Sequence, residues 1–98
     1  MSMMILVTYD VNVETTAGKR RLRRVAKSCT RYGQRVQNSV FECVVSMSDY
    51  LTLKKELLEI IDEDHDSLRI YHMGSKYSSH IESFGVDNHT DIDGVMIL

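Results

Sequence analysis

Residues 3–12 read MMILVTYDVN, an apolar run that stops at Tyr9-Asp10. Residues 3–7 are all apolar, and the stretch carries Ile5, Val7 and Tyr9, the composition of a strand buried on both faces of a sheet. Asp10 therefore falls at the end of the first strand, where a side chain can leave the sheet for solvent or for a ligand. Two readings of it stay open on pattern alone. Aspartate is a common turn residue at a strand end. Its carboxylate is also the ligand type that a hard cation such as Mg²⁺ prefers. One carboxylate is a poor metal site, but a two-fold axis that set two copies of Asp10 face to face would favour a bound cation.

Working outward, residues 11–18 form a loop in which Thr15 or Thr16 can cap a helix. Residues 17–32 are helical in pattern. Leu22, Val25, Ala26 and Cys29 recur at i, i+3, i+4, i+7 as an apolar stripe, and Arg20, Arg24, Lys27 and Arg31 form a second stripe on the opposite side. Gly33 stands where a C-terminal cap is expected. Residues 34–37 read as a short strand, Asn38-Ser39 as a tight turn, and SVFECVVS (39–46) as a strand that pairs back in a hairpin. Ser46 with Asp49 has the form of a capping box. The helix it starts runs to about residue 62 and is expected to bury Leu51, Leu57, Leu58 and Ile61, helped by Leu53 and Ile60. DEDHD (62–66) reads as a solvated loop and residues 68–73 as a strand broken by Gly74-Ser75.

The order strand, helix, strand, strand, helix, strand is that of an α+β ferredoxin-like βαββαβ sandwich, an antiparallel sheet with two helices on one face. Residues 1–75 form this core. Residues 76–98 are a C-terminal tail of the same single domain, polar until VMIL (95–98), which is expected to add to a sheet edge, of this chain or of a partner subunit.

A chain of 98 residues is one domain, and its apolar fraction of 43% argues against wholesale disorder. The first apolar run is too short to span a bilayer and lacks the flanks of a secretion signal, so a cytoplasmic protein without membrane partners is expected. Cys29 and Cys43 lack metal-ligand spacing and read as small buried hydrophobes. His65, His72, His80 and His89 share no spacing that would build a zinc site.

The net charge of −2 hides an asymmetry. Lys19, Arg20, Arg21, Arg23, Arg24, Lys27, Arg31 and Arg35 make up most of the 12 basic residues, and no acid interrupts residues 15–41. Charged helix faces are often merely solvated. Here the like charges repel one another along the helix, and a phosphate backbone would relieve that repulsion, largely without regard to sequence.

Three segments, LVTYDV, KRRLRRVAK and YGQRVQNSVFEC, together with DSLRIYHMG, resemble the CRISPR-associated protein 2 family, most closely its members from type I-C systems. The resemblance covers residues 3 to 75 and implies a ferredoxin-like homodimer acting in spacer acquisition. It implies a dimer that bridges two dimers of the CRISPR integrase on a short DNA duplex. It also implies a Mg²⁺-dependent endonuclease, with Mn²⁺ as a possible substitute, on single-stranded RNA or double-stranded DNA. In the family the Asp closing the first strand binds the metal, so Asp10 becomes the catalytic and metal-binding candidate. Arg35 and Phe41 match the family's Arg-Val-Gln and Ser-Val-Phe segment. The basic helix gives Arg20, Arg21, Arg24, Lys27 and Arg31 as nucleic-acid-binding candidates beside Arg35; Tyr9 and Phe41 read as core residues that, in the functional reading, border the Asp10 site or stack near a nucleic acid. The tail departs from the pattern by lacking proline.

Two functions follow: a metal-dependent phosphodiesterase, and a non-catalytic DNA-binding scaffold of the spacer-integration complex. A small-molecule regulatory domain would need a pocket-forming Gly-rich loop, and only Gly18 stands at that junction.

Overall fold

A computed structural model of the chain describes residues 2–73 and 80–86. The elements are β1 (Ser2–Asp10), α1 (Thr16–Thr30), β2 (Gly33–Gln37), β3 (Val40–Ser46), α2 (Met47–Ile60), β4 (Ser67–His72) and β5 (His80–Gly85). The strands form one sheet in the order β2-β3-β1-β4-β5, with every neighbouring pair antiparallel. This is the ferredoxin-like arrangement expected from the element order, with a fifth strand added at one edge. The added strand falls at His80–Gly85, within the segment read as polar tail; residues 95–98 lie outside the described residues.

Both helices cover the same face of the sheet. Ile5, Val7 and Tyr9 of β1, Phe41, Cys43 and Val45 of β3, and Leu68 and Ile70 of β4 alternate onto that face. They meet Val25 and Cys29 of α1 and Leu53, Leu57 and Ile60 of α2 in one core. Within one protomer β1 is therefore buried on one face, where its apolar run suggested two. The other face of the sheet carries Met4, 39% exposed, and directly opposite it Val44, 58% exposed, with Val36 at the edge at 49%.

The local signals are largely where the sequence put them. The Thr15 hydroxyl caps α1 by accepting from Gly18 N, and the Ser46 hydroxyl caps α2 by accepting from Asp49 N. Gly18 also allows close approach: a Cβ there would sit 1.9 Å from the Asn12 carbonyl oxygen, so α1 packs directly on the loop that follows Asp10. Gly33 opens β2 instead of capping α1, whose last turn ends on Arg31. On α2 the apolar stripe is Tyr50, Leu53, Leu57 and Ile60, while the expected Leu51 is 54% exposed. The cap at Ser46 fixes the phase of the helix, and in that phase positions 53, 57 and 60 share the inward face.

Candidate functional site

Asp10 is the last residue of β1 and pairs with Ser67, the first of β4; Thr8 pairs with Arg69 and Leu6 with Tyr71. Alternation along the strand puts all of these side chains on the sheet face without helices. Thr8, Asp10, Ser67, Arg69 and Tyr71, with Tyr9 and Val86, line a cleft of about 250 Å³. Asp10 is exposed there. The cleft thus gathers an accessible carboxylate, two hydroxyls, a phenol and a guanidinium.

The loop behind Asp10 is held by a residue that the sequence reading passed over. DEDHD was expected to be solvated, yet its last member, Asp66, is 0% exposed. Its Oδ1 accepts from Asn12 N (3.0 Å) and Arg21 Nη2 (3.2 Å), and its Oδ2 accepts from Arg21 Nε (2.7 Å) and Asp62 N (2.9 Å). Its carbonyl also accepts from Val86 N at 2.8 Å. Burial pushes the Asp66 carboxyl up, but the Arg21 fork and the two backbone N–H donors outweigh burial and hold it below its ordinary value. Asp66 thereby ties α1, the β1–α1 loop, the α2–β4 loop and the end of β5 together behind Asp10.

This pairing engages one of the basic residues of α1. Arg21 was grouped with the nucleic-acid-binding residues, but its side chain is only 18% exposed and is spent on Asp66. Its place in the helix, one residue beyond Arg20, turns it toward the sheet end. Arg20, Arg24, Lys27 and Arg31 are exposed, as is Arg23. The acids missing from α1 are supplied partly by α2. Arg31 is ion-paired with Glu56, and Arg24, Lys27, Ser28 and Arg31 face Glu56, Glu59 and Ile60 across a groove of about 320 Å³.

Tyr9 and Phe41 are core residues, the first of their two readings. Although Tyr9 is among the residues of the Asp10 cleft, it alternates with Phe41 onto the helix-covered face, where both are in the core. Their ring centroids lie 6.2 Å apart at 24°, and the Arg35 guanidinium carbon lies 5.1 Å over the Phe41 ring. The Tyr9 hydroxyl is buried without a hydrogen-bond partner among the described residues. Burial raises its pKa, and the neighbouring Arg35 charge opposes the rise. Arg35, Tyr9 and Phe41 are thus brought together, on the face opposite the Asp10 carboxylate.

A second polar cluster docks β5 on α2. Glu82 accepts from Lys54 Nζ (2.7 Å) and from the Tyr50 hydroxyl, and its Oε1 lies 2.9 Å from His72 Nε2. Burial pushes the Glu82 carboxyl up; the three partners overcome that and bring it down to about 2.

The cysteines are as inert as expected: Cys29 and Cys43 are buried, and burial raises their thiols to about 12 and about 11. Among the described residues no three His, Cys, Asp or Glu side chains come together as a metal site. No helix among them is long and apolar enough to cross a membrane.

These features define a class: a ferredoxin-like domain that presents a carboxylate at the end of its first strand and a basic first helix. The comparisons with known proteins make the class specific. The family model described as CRISPR associated protein Cas2 matches residues 3–81, and the chain belongs to that family. It is 51% identical over 96 residues to the CRISPR-associated endoribonuclease Cas2 of Chlorobaculum tepidum, covering 98% of this chain and 100% of that relative. It is 48% identical over 95 residues to the CRISPR-associated endonuclease Cas2 of Halalkalibacterium halodurans, covering 97% and 99%. The crystal structure of Streptococcus pyogenes Cas2 is similar with a TM-score of 0.69 and 59% identity, over 76% of this chain and 90% of that one. The family expected from LVTYDV, KRRLRRVAK and YGQRVQNSVFEC is the one found, and a nuclease is the class these relatives' names carry.

Proposed function

We propose that this chain is a divalent-cation-dependent phosphodiesterase of CRISPR adaptation that works as a homodimer, with Asp10 as its metal-binding and catalytic carboxylate. The observation that carries this reading is the position of Asp10, exposed at the sheet end in a cleft it shares with Thr8, Ser67 and Arg69. The donor set suits Mg²⁺, which takes one or two carboxylates and keeps several waters; it does not suit zinc, which prefers nitrogen and sulfur. Asp10 would hold the ion, with the hydroxyls of Thr8 and Ser67 positioned for its waters. Such an ion supplies Lewis-acid polarisation of a phosphate oxygen and lowers the pKa of water.

The dimer follows from the same face. Met4, Val44 and Val36 leave apolar surface on the sheet face that carries Asp10, and a second copy is the partner that would cover it. Pairing that face about a two-fold axis brings two Asp10 carboxylates toward one another, which supplies the second ligand a single chain lacks. The names of the relatives favour RNA as substrate. Asp10→Asn is expected to abolish Mg²⁺-dependent cleavage of single-stranded RNA while leaving the fold and dimer intact. Cleavage persisting in carefully purified Asp10→Asn protein would remove Asp10 from the mechanism.

A second reading, a DNA-binding scaffold that works with the CRISPR integrase, is favoured by the exposed Arg20, Arg23, Arg24 and Lys27. These cations lie on α1, on the other side of the sheet from Asp10, so holding a duplex does not require the Asp10 site. Charge reversal at Arg20 and Arg24 should then abolish spacer acquisition, and normal acquisition in that variant would sink the scaffold reading.

A further inference from the structure

We infer that Arg69 is a substrate-binding residue of the Asp10 site, its guanidinium holding a non-bridging oxygen of the phosphodiester that is cut. The inference rests on the reading of Asp10 given above and names the protein group that meets the phosphate there. The sequence offers no hint of it, because Arg69 stands apart from the basic run, among the acids of the second half of the chain.

The sheet register provides the argument. Arg69 is directly opposite Thr8 and Asp10 is directly opposite Ser67, so Arg69 and Asp10 are diagonal neighbours on one face of the β1–β4 ladder. Diagonal pairs stand about 7–8 Å apart at the backbone, a gap that a phosphate group can bridge. The two residues line the same cleft of about 250 Å³, and Thr8 and Ser67 complete its rim with hydroxyls. Tyr71, 8% exposed, is the next side chain on that face of β4 and lines the same cleft. An arginine in such a place differs from those of α1. It is half-buried and beside a carboxylate suited to a cation, where Arg20, Arg23, Arg24 and Lys27 of α1 are exposed. Its planar fork matches two phosphate oxygens at once, and a lysine would not reproduce that geometry.

In the step itself the oxygen of water bonds to phosphorus and the P–O bond to the leaving sugar oxygen breaks. The proton of the attacking water passes to solvent, and the leaving oxygen takes a proton from solvent. Arg69 exchanges no proton. It fixes the phosphate against Asp10 and lies where negative charge grows on the non-bridging oxygens, an interaction stronger in the transition state than in the bound substrate.

The test uses the full-length dimer and a single-stranded RNA oligonucleotide. Arg69→Gln is expected to lower kcat/KM in Mg²⁺ by about 10²-fold or more, with Arg69→Lys recovering part of the loss. In EDTA, where nothing is cut, the slope of log affinity for the RNA against log salt should become shallower by about 0.7, the signature of one lost phosphate contact. Mn²⁺ affinity, read by electron paramagnetic resonance, should not weaken, since Arg69 holds the substrate and not the ion. A purely structural role would lower Tm and leave the salt slope unchanged. Cleavage by Arg69→Gln within about threefold of the parent, or an unchanged salt slope, overturns the assignment. Should Arg69→Gln fail to fold, Arg69→Lys carries the same two readouts, and a parental kcat/KM in that variant overturns the fork argument. Asp10→Asn runs in parallel: if it still cleaves, the reading of Asp10 fails, while the slope in EDTA still decides whether Arg69 meets phosphate.

Discussion

Replacing Asp66 with alanine tests the proposition that a buried carboxylate, rather than local loop preference, holds the chain behind Asp10. Asp66 is fully buried and accepts from the backbone N–H groups of Asn12 and Asp62 as well as from Arg21. Arg21 can swing to solvent when its partner is lost, but the two N–H groups are fixed by the fold. A buried donor left without an acceptor costs about 1–3 kcal/mol, so the two together cost about 2–6 kcal/mol. Against a total stability of about 5–15 kcal/mol for a domain this is a large fraction. For a domain of this size each kcal/mol lowers Tm by about 4–8 °C, so Asp66→Ala should melt at least about 8 °C below the parent by circular dichroism.

The pH dependence follows from the direction of the Asp66 shift. Its folded pKa is depressed, so the stability it confers is present above the unfolded value, about 3.9, and is lost as pH falls through the folded one. The gap between parent and Asp66→Ala should therefore be full at pH 7 and narrow below about pH 4. A Tm within about 3 °C of the parent at pH 7 would refute the reasoning, and would mean that water reaches the N–H groups of Asn12 and Asp62.

Three further outcomes are expected. Glu82→Gln should loosen β5, seen as faster amide exchange across His80–Gly85. In the parent the protection of these amides, taken relative to their intrinsic exchange at each pH, should fall as pH falls from the ordinary glutamate range toward the Glu82 pKa of about 2, because that stability is lost on protonation. Glu56→Gln frees Arg31 from its partner on α2 and should tighten nucleic-acid binding, with a salt slope steeper by about one contact; Glu63→Gln, an exposed acid in the α2–β4 loop, is the charge-matched control. Val44→Asp places a charge at the most exposed of the apolar positions on the open sheet face and should leave the chain monomeric in sedimentation equilibrium; a dimer of parental strength would move the interface elsewhere.

Much of the architecture is written locally and can be read one segment at a time. The apolar run ending at Asp10, the Thr15 and Ser46 caps, the turn at Asn38-Ser39 and the two stripes of α1 each depend on residues within a few positions of one another. Short-range sterics and hydrogen bonds suffice to specify them. The family is legible for the same reason, since the motifs that carry it are contiguous. Asp10 was legible as a candidate through its place at a strand end and through that resemblance.

Tertiary structure decided which charges are spent and which are left to act. Arg21 and Asp66 are 45 positions apart, and Arg31 and Glu56 are 25 apart, so nothing within α1 shows that Arg21 and Arg31 have acidic partners. β5 escaped notice because HIESFG looks polar in isolation; Glu82 becomes an inward-facing residue only when Lys54, Tyr50 and His72 from α2 and β4 surround it. Arg69 joins the candidate site for a like reason: its closeness to Asp10 is a property of the β1–β4 register. The amino-acid order by itself determined the strands β1 to β4, both helices, the family and one carboxylate. Long-range pairing determined which cations meet solvent, because a charge is neutralised by whatever the fold sets beside it and not by its neighbours in sequence.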